Sequence, residues 1–176
     1  KIAPSAEGNI FNVGGYFEDA ILVRKNDSFL RSVNCSWDNI SNIAALKGLE
    51  KEVRIFYRDI LLAYENENTD FVIKDPRIAL FLPYIEDLLV GYKFVFCVRS
   101  HENVSKSLLS RNGLEPHKVR ELKNYYDSNI EQFLLNKKYF LIDYDSLIDS
   151  PVPIIKSLFH YLSREYDENL ITNIMD

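Results

Sequence analysis

Several things are scarce in this sequence, and each scarcity removes a class of protein. Over 176 residues there are only two cysteines, Cys35 and Cys97. Cys97 lies in an apolar run that reads as a buried strand, so two reduced thiols are expected rather than a disulfide framework, which favours a cytoplasmic protein. The three histidines, His101, His117 and His160, are scattered and share no metal-ligand spacing with cysteine or carboxylate, so no metal is expected. No apolar run approaches the roughly 20 residues of a membrane span, and no apolar stretch follows Lys1 that would read as a signal peptide. Positive charge is also in short supply. With 21 basic and 26 acidic side chains the formal net charge is −5, which argues against nucleic-acid binding but leaves room for a small anion held locally. Gly-x-Ser-x-Gly, Gly-x-Gly-x-x-Gly and Gly-x-x-x-x-Gly-Lys-Ser/Thr are all missing.

What remains is the composition of one globular domain spanning 1–176, with 47% hydrophobic and 27% charged residues. Three runs read as strands: Phe71-Val72-Ile73-Lys74, Phe94-Val95-Phe96-Cys97-Val98 and Tyr139-Phe140-Leu141-Ile142. Such uninterrupted apolar strands are expected in a parallel sheet covered on both faces. Helical periodicity fills the intervals at 78–89, closed by Gly91, and through Val104, Leu108 and Leu109, closed by Asn112-Gly113. A longer helix is expected at 119–135, and another apolar-periodic segment runs from Pro151 and Pro153 to Leu162. Two helices come first, at 16–33 and 49–64, with 34–47 read as a surface loop. The fold class is therefore α/β, a parallel sheet flanked by helices with right-handed crossovers. Three strands are few for such a sheet, and a further one is expected.

Ligands of open parallel sheets lie beyond the carboxyl ends of the strands. Those ends carry Lys74-Asp75-Pro76-Arg77, Arg99-Ser100-His101 and Asp143-Tyr144-Asp145. Arg99 leaves its strand just before a helix whose N-cap is read as Ser100, and Ser107 sits two turns further on, on one face with Asn103. An arginine fork, a hydroxyl and free helix N–H groups can close on a phosphate. The same spacing is met if Arg99 pairs with Glu102 or another helix carboxylate and Ser107 is merely tolerated. Lys74, Asp75 and Arg77 can act on an anionic group or form a strand-end ion pair worth little. Glu18 and Asp19, after Gly14-Gly15-Tyr16-Phe17, complement a first helical turn whether or not Glu18 does chemistry.

Five segments in order resemble the sulfotransferase family, in particular its bacterial branch with a P-loop-kinase-like fold. Asn12 to Asp19 is similar to Asn-Pro-Lys-Gly-Tyr-[Phe/Trp]-Glu-Asp, with Val13-Gly14 in place of Pro-Lys. Ser36-Trp37-Asp38 resembles the small-Trp-Asp stretch, and 71–77 the strand ending Lys-Asp-Pro-Arg. The segment 94–107 resembles the strand and helix with Arg and Ser eight apart, although His101 stands where proline is usual. Residues 141–147 with Ser150-Pro151 resemble Tyr-Asp-x-Leu-x-x-Pro. The resemblance implies transfer of a sulfonate group from 3′-phosphoadenosine 5′-phosphosulfate to a hydroxyl or amine on a carbohydrate, lipid or small molecule. It implies that Arg99 and Ser107 bind the 3′-phosphate, with Arg77 a further cation for the donor. Lys74 is implied beside the bridging oxygen, and Asp75 or Glu18 as the base.

The family's Pro-[Arg/Lys]-Ser-Gly-Thr phosphosulfate loop is not in the sequence, nor is the strand before it. The simplest account is a fragment, or a chain that starts after an N-terminal βα unit. Weak donor binding and poor turnover are expected of the polypeptide as written. A P-loop nucleotide kinase, and a non-catalytic binding module that has lost the loop, are the other readings.

Overall fold

In the computed structural model, residues 18–67 and 70–167 are described. The first helix, α1, spans Ala20–Ser32 and starts where Asp19 can cap it: Asp19 Oδ1 accepts from the N–H groups of Ile21 and Leu22 at 2.7 and 2.9 Å. Its buried face is Leu22, Asn26, Phe29 and Leu30, an i, i+4, i+7, i+8 stripe with one polar member. After Asn34, held in the left-handed region at φ 58°, comes a 3-10 helix over Ile43–Leu49. Helix α2 (Glu50–Glu65) buries Val53, Tyr57 and Leu61 at four-residue intervals.

Helix α3 (Ile78–Ile85) is apolar nearly all round and sits between α2 and α5. Pro83 lies inside it and has no N–H to give to the carbonyl of Ala79. Asn129 of the later helix α5 (Pro116–Leu134) donates its side-chain amide to that carbonyl at 3.1 Å, so the freed acceptor is satisfied across the packing interface. The principal core is built by α1, the 3-10 helix, α2 and α3, around Leu22, Phe29, Leu30, Leu46, Val53, Tyr57, Phe81 and Ile85.

Strand β1 (Phe94–Val98) follows the turn at Gly91, whose φ of 90° suits a residue without a side chain. Helix α4 (His101–Asn112) is capped by Ser100, whose hydroxyl accepts from Asn103 N–H, and is closed by Gly113 in the left-handed region at φ 67°. After α5, β2 (Tyr139–Asp143) pairs with β1 in parallel, Phe94 beside Tyr139 and Val98 beside Asp143. Two helices end the described chain, α6 (Tyr144–Asp149) and α7 (Pro151–Leu162). The chain is α/β, mostly helical, with a small two-strand parallel sheet flanked by helices. Among the described residues no helix is long and apolar enough to cross a membrane.

The sheet is covered on the diagonal. On one face Phe94 meets Phe133 of α5 edge-on at 4.9 Å, while Tyr139 and Leu141 beside it stay 44% and 52% exposed. On the other face Phe140 packs on Tyr161 of α7 at 5.6 Å, while Val95 and Cys97 are exposed. Full cover of both faces, and burial of Cys97, were therefore wrong expectations: each flanking helix protects only the strand nearest to it.

Two further expectations change. Phe71-Val72-Ile73-Lys74 forms no ladder with the described strands, only an isolated bridge position at Val72. Its composition is strand-like because Phe71 is held between the rings of Tyr64 and Tyr92, at 5.2 and 6.0 Å, and Ile73 packs on the core while Val72 points outward. The stretch 34–47 is not a surface loop throughout. Cys35, Ile43 and Leu46 are buried and a bridge joins Ser36 to Asn39; their spacing matches neither a helix nor a strand period. The helix expected from residue 16 begins at Ala20, and Asn12 to Phe17 lie outside the described residues.

Candidate functional site

Glu18, Lys74, Asp75 and Arg77 come together in one cluster, although Glu18 and Lys74 are 56 positions apart. The turn at Pro76 folds Arg77 back onto Asp75, whose Oδ1 accepts from both the backbone N–H and Nη1 of Arg77 at 2.9 Å. Asp75 Oδ2 accepts from the side-chain amide of Asn26 at 2.9 Å, and Asn26 Oδ1 in turn accepts from the hydroxyl of Tyr57 at 3.0 Å. The Asp75 side chain is 0% exposed and both its oxygens are engaged. Arg77 also reaches Asp27 through Nε at 2.7 Å and Glu18 through Nη1 at 3.5 Å. Burial pulls the Arg77 guanidinium down, but Asp75 and Asp27 outweigh it and hold its pKa above the ordinary value. Glu18 is different in kind: its side chain is 12% exposed and receives Lys74 Nζ at 2.7 Å, with Lys74 itself half open to solvent.

The surroundings tie this cluster to the sheet and to α5. Although Cys97 as a residue is exposed, partial desolvation of its sulfur pushes the thiol up, and the nearby Lys74 ammonium pulls it part of the way back, which puts Lys74 near β1. Burial raises the Tyr126 hydroxyl well above its usual value, with the charges of Arg77, Asp75, Asp38 and Asp27 also acting on it. That hydroxyl donates to the carbonyl of Trp37 at 2.9 Å, which brings the Ser36-Trp37-Asp38 loop to the same side.

A second cluster lies at the carboxyl ends of the strands. Arg99 Nε donates to Asp145 Oδ1 at 3.0 Å, Asn103 donates to Asp145 Oδ2 at 2.8 Å, and the Arg99 guanidinium lies 4.7 Å from the centre of the Tyr144 ring. The partner of Arg99 is thus neither Glu102, which is taken by Lys106 one turn on, nor any other carboxylate of its own helix. One edge of the arginine is fixed, and among the described residues no hydrogen bond takes its Nη groups. Ser107 is exposed on α4, one turn beyond Asn103. The open groove of about 630 Å³ along α2, lined by Lys47, Lys51, Arg54 and Arg58, shares no residue with either cluster.

Asn26, Asp27 and Tyr57 escaped the sequence reading because they belong to no motif. The signal for two of them was present: Asn26 interrupts the apolar stripe of α1, and the hydroxyl of Tyr57 sits on the buried stripe of α2 between Val53 and Leu61. A polar group on a core stripe needs a buried partner. Comparison with family models, with curated proteins and with solved structures finds no match for this chain.

Proposed function

We propose that this chain is a sulfotransferase-type domain acting on 3′-phosphoadenosine 5′-phosphosulfate, with a P-loop-kinase-like sulfotransferase fold. The observation that supports the reading best is the convergence of Glu18, Lys74, Asp75 and Arg77, drawn from two distant segments, into one ion-paired cluster beside β1. In this reading the acceptor hydroxyl or amine attacks sulfur, and the bond from sulfur to the bridging oxygen of the 5′-phosphate breaks. Lys74 stabilises the negative charge that grows on that oxygen. Glu18 fits the base better than Asp75 does. Its carboxylate borders solvent and holds the half-exposed Lys74, whereas Asp75 has both oxygens occupied and serves to fix Arg77. Arg99, anchored by Asp145 at the start of α4, and Ser107 on the same helix grip the 3′-phosphate.

The experiment is calorimetric titration of the chain with 3′-phosphoadenosine 5′-phosphate, with adenosine 5′-phosphate as the control lacking the 3′-phosphate. Because the sequence has no phosphosulfate loop, wild-type binding weaker than low-micromolar is expected. Arg99→Ala should weaken it severalfold or more while leaving the control unchanged. A folded Arg99→Ala chain that binds both nucleotides as the wild type does would sink the reading.

A further inference from the structure

Among the described residues β2 is paired on one side only, so its outer edge presents unsatisfied backbone N–H and C=O groups. The open face next to that edge is apolar: Tyr139 and Leu141 are exposed on it. The hydroxyl of Tyr161 donates to the carbonyl of Lys138 and accepts from Phe94 N–H, which anchors the end of α7 over the β1–β2 pair. Neither a proline nor an inward-pointing charge guards the strand, the usual devices by which natural edges stay single.

The strand is also polar end to end. Lys137 and Lys138 immediately precede it and Asp143 ends it; Lys138 is exposed, Lys137 also reaches Glu86, and Asp143 gives one oxygen to the cap of α6. Laid antiparallel on a copy of itself, it places the lysine end of each strand against the aspartate end of the other, twice. Laid parallel, it places like charge on like. A two-fold axis through Phe140 also sets Tyr139 across from the partner's Leu141 on the open face, again twice, as cross-strand pairs that stabilise sheets. Such a contact is closed and uses the same patch on both copies.

We propose that the outer edge of β2 is a homodimerisation edge, at which a second copy of this chain adds antiparallel to form a four-stranded sheet. The proposal is independent of the enzymatic reading. Sedimentation velocity on the full chain, at concentrations up to roughly 200 µM, tests it. The wild type is expected to sediment as a dimer and Leu141→Arg as a monomer. Far-UV circular dichroism confirms that the variant keeps its fold, since Leu141 is exposed. Lys137→Glu and Asp143→Lys, at positions that face each other across that axis, should each weaken association by about tenfold or more. Mixed together, these two variants should recover it, because each then offers the charge the other lacks. A wild type that stays monomeric, a Leu141→Arg chain that dimerises unchanged, or a mixture no tighter than its components overturns the proposal.

Discussion

Replacing Asn26 by alanine probes the part of the molecule where polar chemistry is most deeply enclosed. Asn26 and the Asp75 side chain are 0% exposed and Tyr57 is 3% exposed, so no water replaces what the substitution removes. Two bonds go: the amide donor to Asp75 and the acceptor of the Tyr57 hydroxyl. A buried polar group left without its partner costs about 1–3 kcal/mol. Asp75 keeps two donors from Arg77, so its share lies near the bottom of that range, about 1 kcal/mol. Tyr57 loses its one partner and sits near the middle, about 2 kcal/mol. The small void adds up to about 1 kcal/mol. The expected loss is about 3–4 kcal/mol, or a fall in Tm of roughly 10 °C for a chain of this size.

Urea unfolding followed by Trp37 fluorescence and by circular dichroism gives the number. Tyr57→Phe alone leaves only Asn26 Oδ1 unpaired and should cost about 1–2 kcal/mol. The double variant should cost less than the sum, because Tyr57→Phe removes the hydroxyl that Asn26→Ala orphans. An Asn26→Ala loss under about 1 kcal/mol, or strict additivity of the two, refutes the claim that this chain of bonds is a single buried unit.

The remaining predictions concern pH. Burial works to raise the Asp19 carboxyl, but the Tyr64 hydroxyl and the N–H groups of Leu22 and Ile21 outweigh it and hold it below the ordinary value of 3.8. Its contribution is therefore complete above that value and lost as pH falls through the lower folded value. Asp19→Asn should flatten the decline of urea midpoints between about pH 5 and 2. Burial, against the pull of the Asn26 hydrogen bond, raises the Tyr57 hydroxyl far above its ordinary 10.0. Its protonated form stabilises the fold fully below that value, and the contribution is lost as pH rises beyond it. Ultraviolet titration near 295 nm should show part of the phenolate signal appearing only with cooperative unfolding, and Tyr57→Phe should shrink that part. A smooth, fully reversible titration of every tyrosine in the folded chain would contradict it.

The helices were legible because their signals are local. The stripe of α1, the Ser100 cap and the Asn112-Gly113 stop of α4 lie within a few residues of what they control. The strands at 94–98 and 139–143 were legible by composition, but their cover was not: which helix lies over Phe94 and which over Phe140 depends on contacts between distant segments. The segment 71–74 shows the limit in the other direction. Among the described residues, strand-like composition is met there by two tyrosine rings and a single bridge position at Val72, not by a ladder. At the candidate site, Lys74, Asp75 and Arg77 were visible as a motif and Glu18 as a candidate near a helix start. Their buried supports were not, because Asn26 and Tyr57 carry no pattern beyond being polar on apolar stripes. Arg99 is read from sequence as a phosphate grip, with a carboxylate of its own helix as the competing partner, whereas its partner Asp145 comes from the residue after Tyr144, beyond two intervening helices.

The position of the main core has a consequence for how the chain opens. Every fully buried member of that cluster lies between Leu22 and Ile85, within one continuous stretch, whereas β1 and β2 meet only after α4 and α5 have been traversed. Closing a long loop costs entropy before any contact repays it, and the half-covered sheet offers little dry surface in return. The two regions are thus unequal cooperative units, a sturdy helical one and a sheet that can part from it while the helices hold. Native-state hydrogen exchange should show amides of β1 and β2 exchanging through a cheaper opening than those of α1 to α3. Equal protection in both regions would mean that the molecule opens only as a whole.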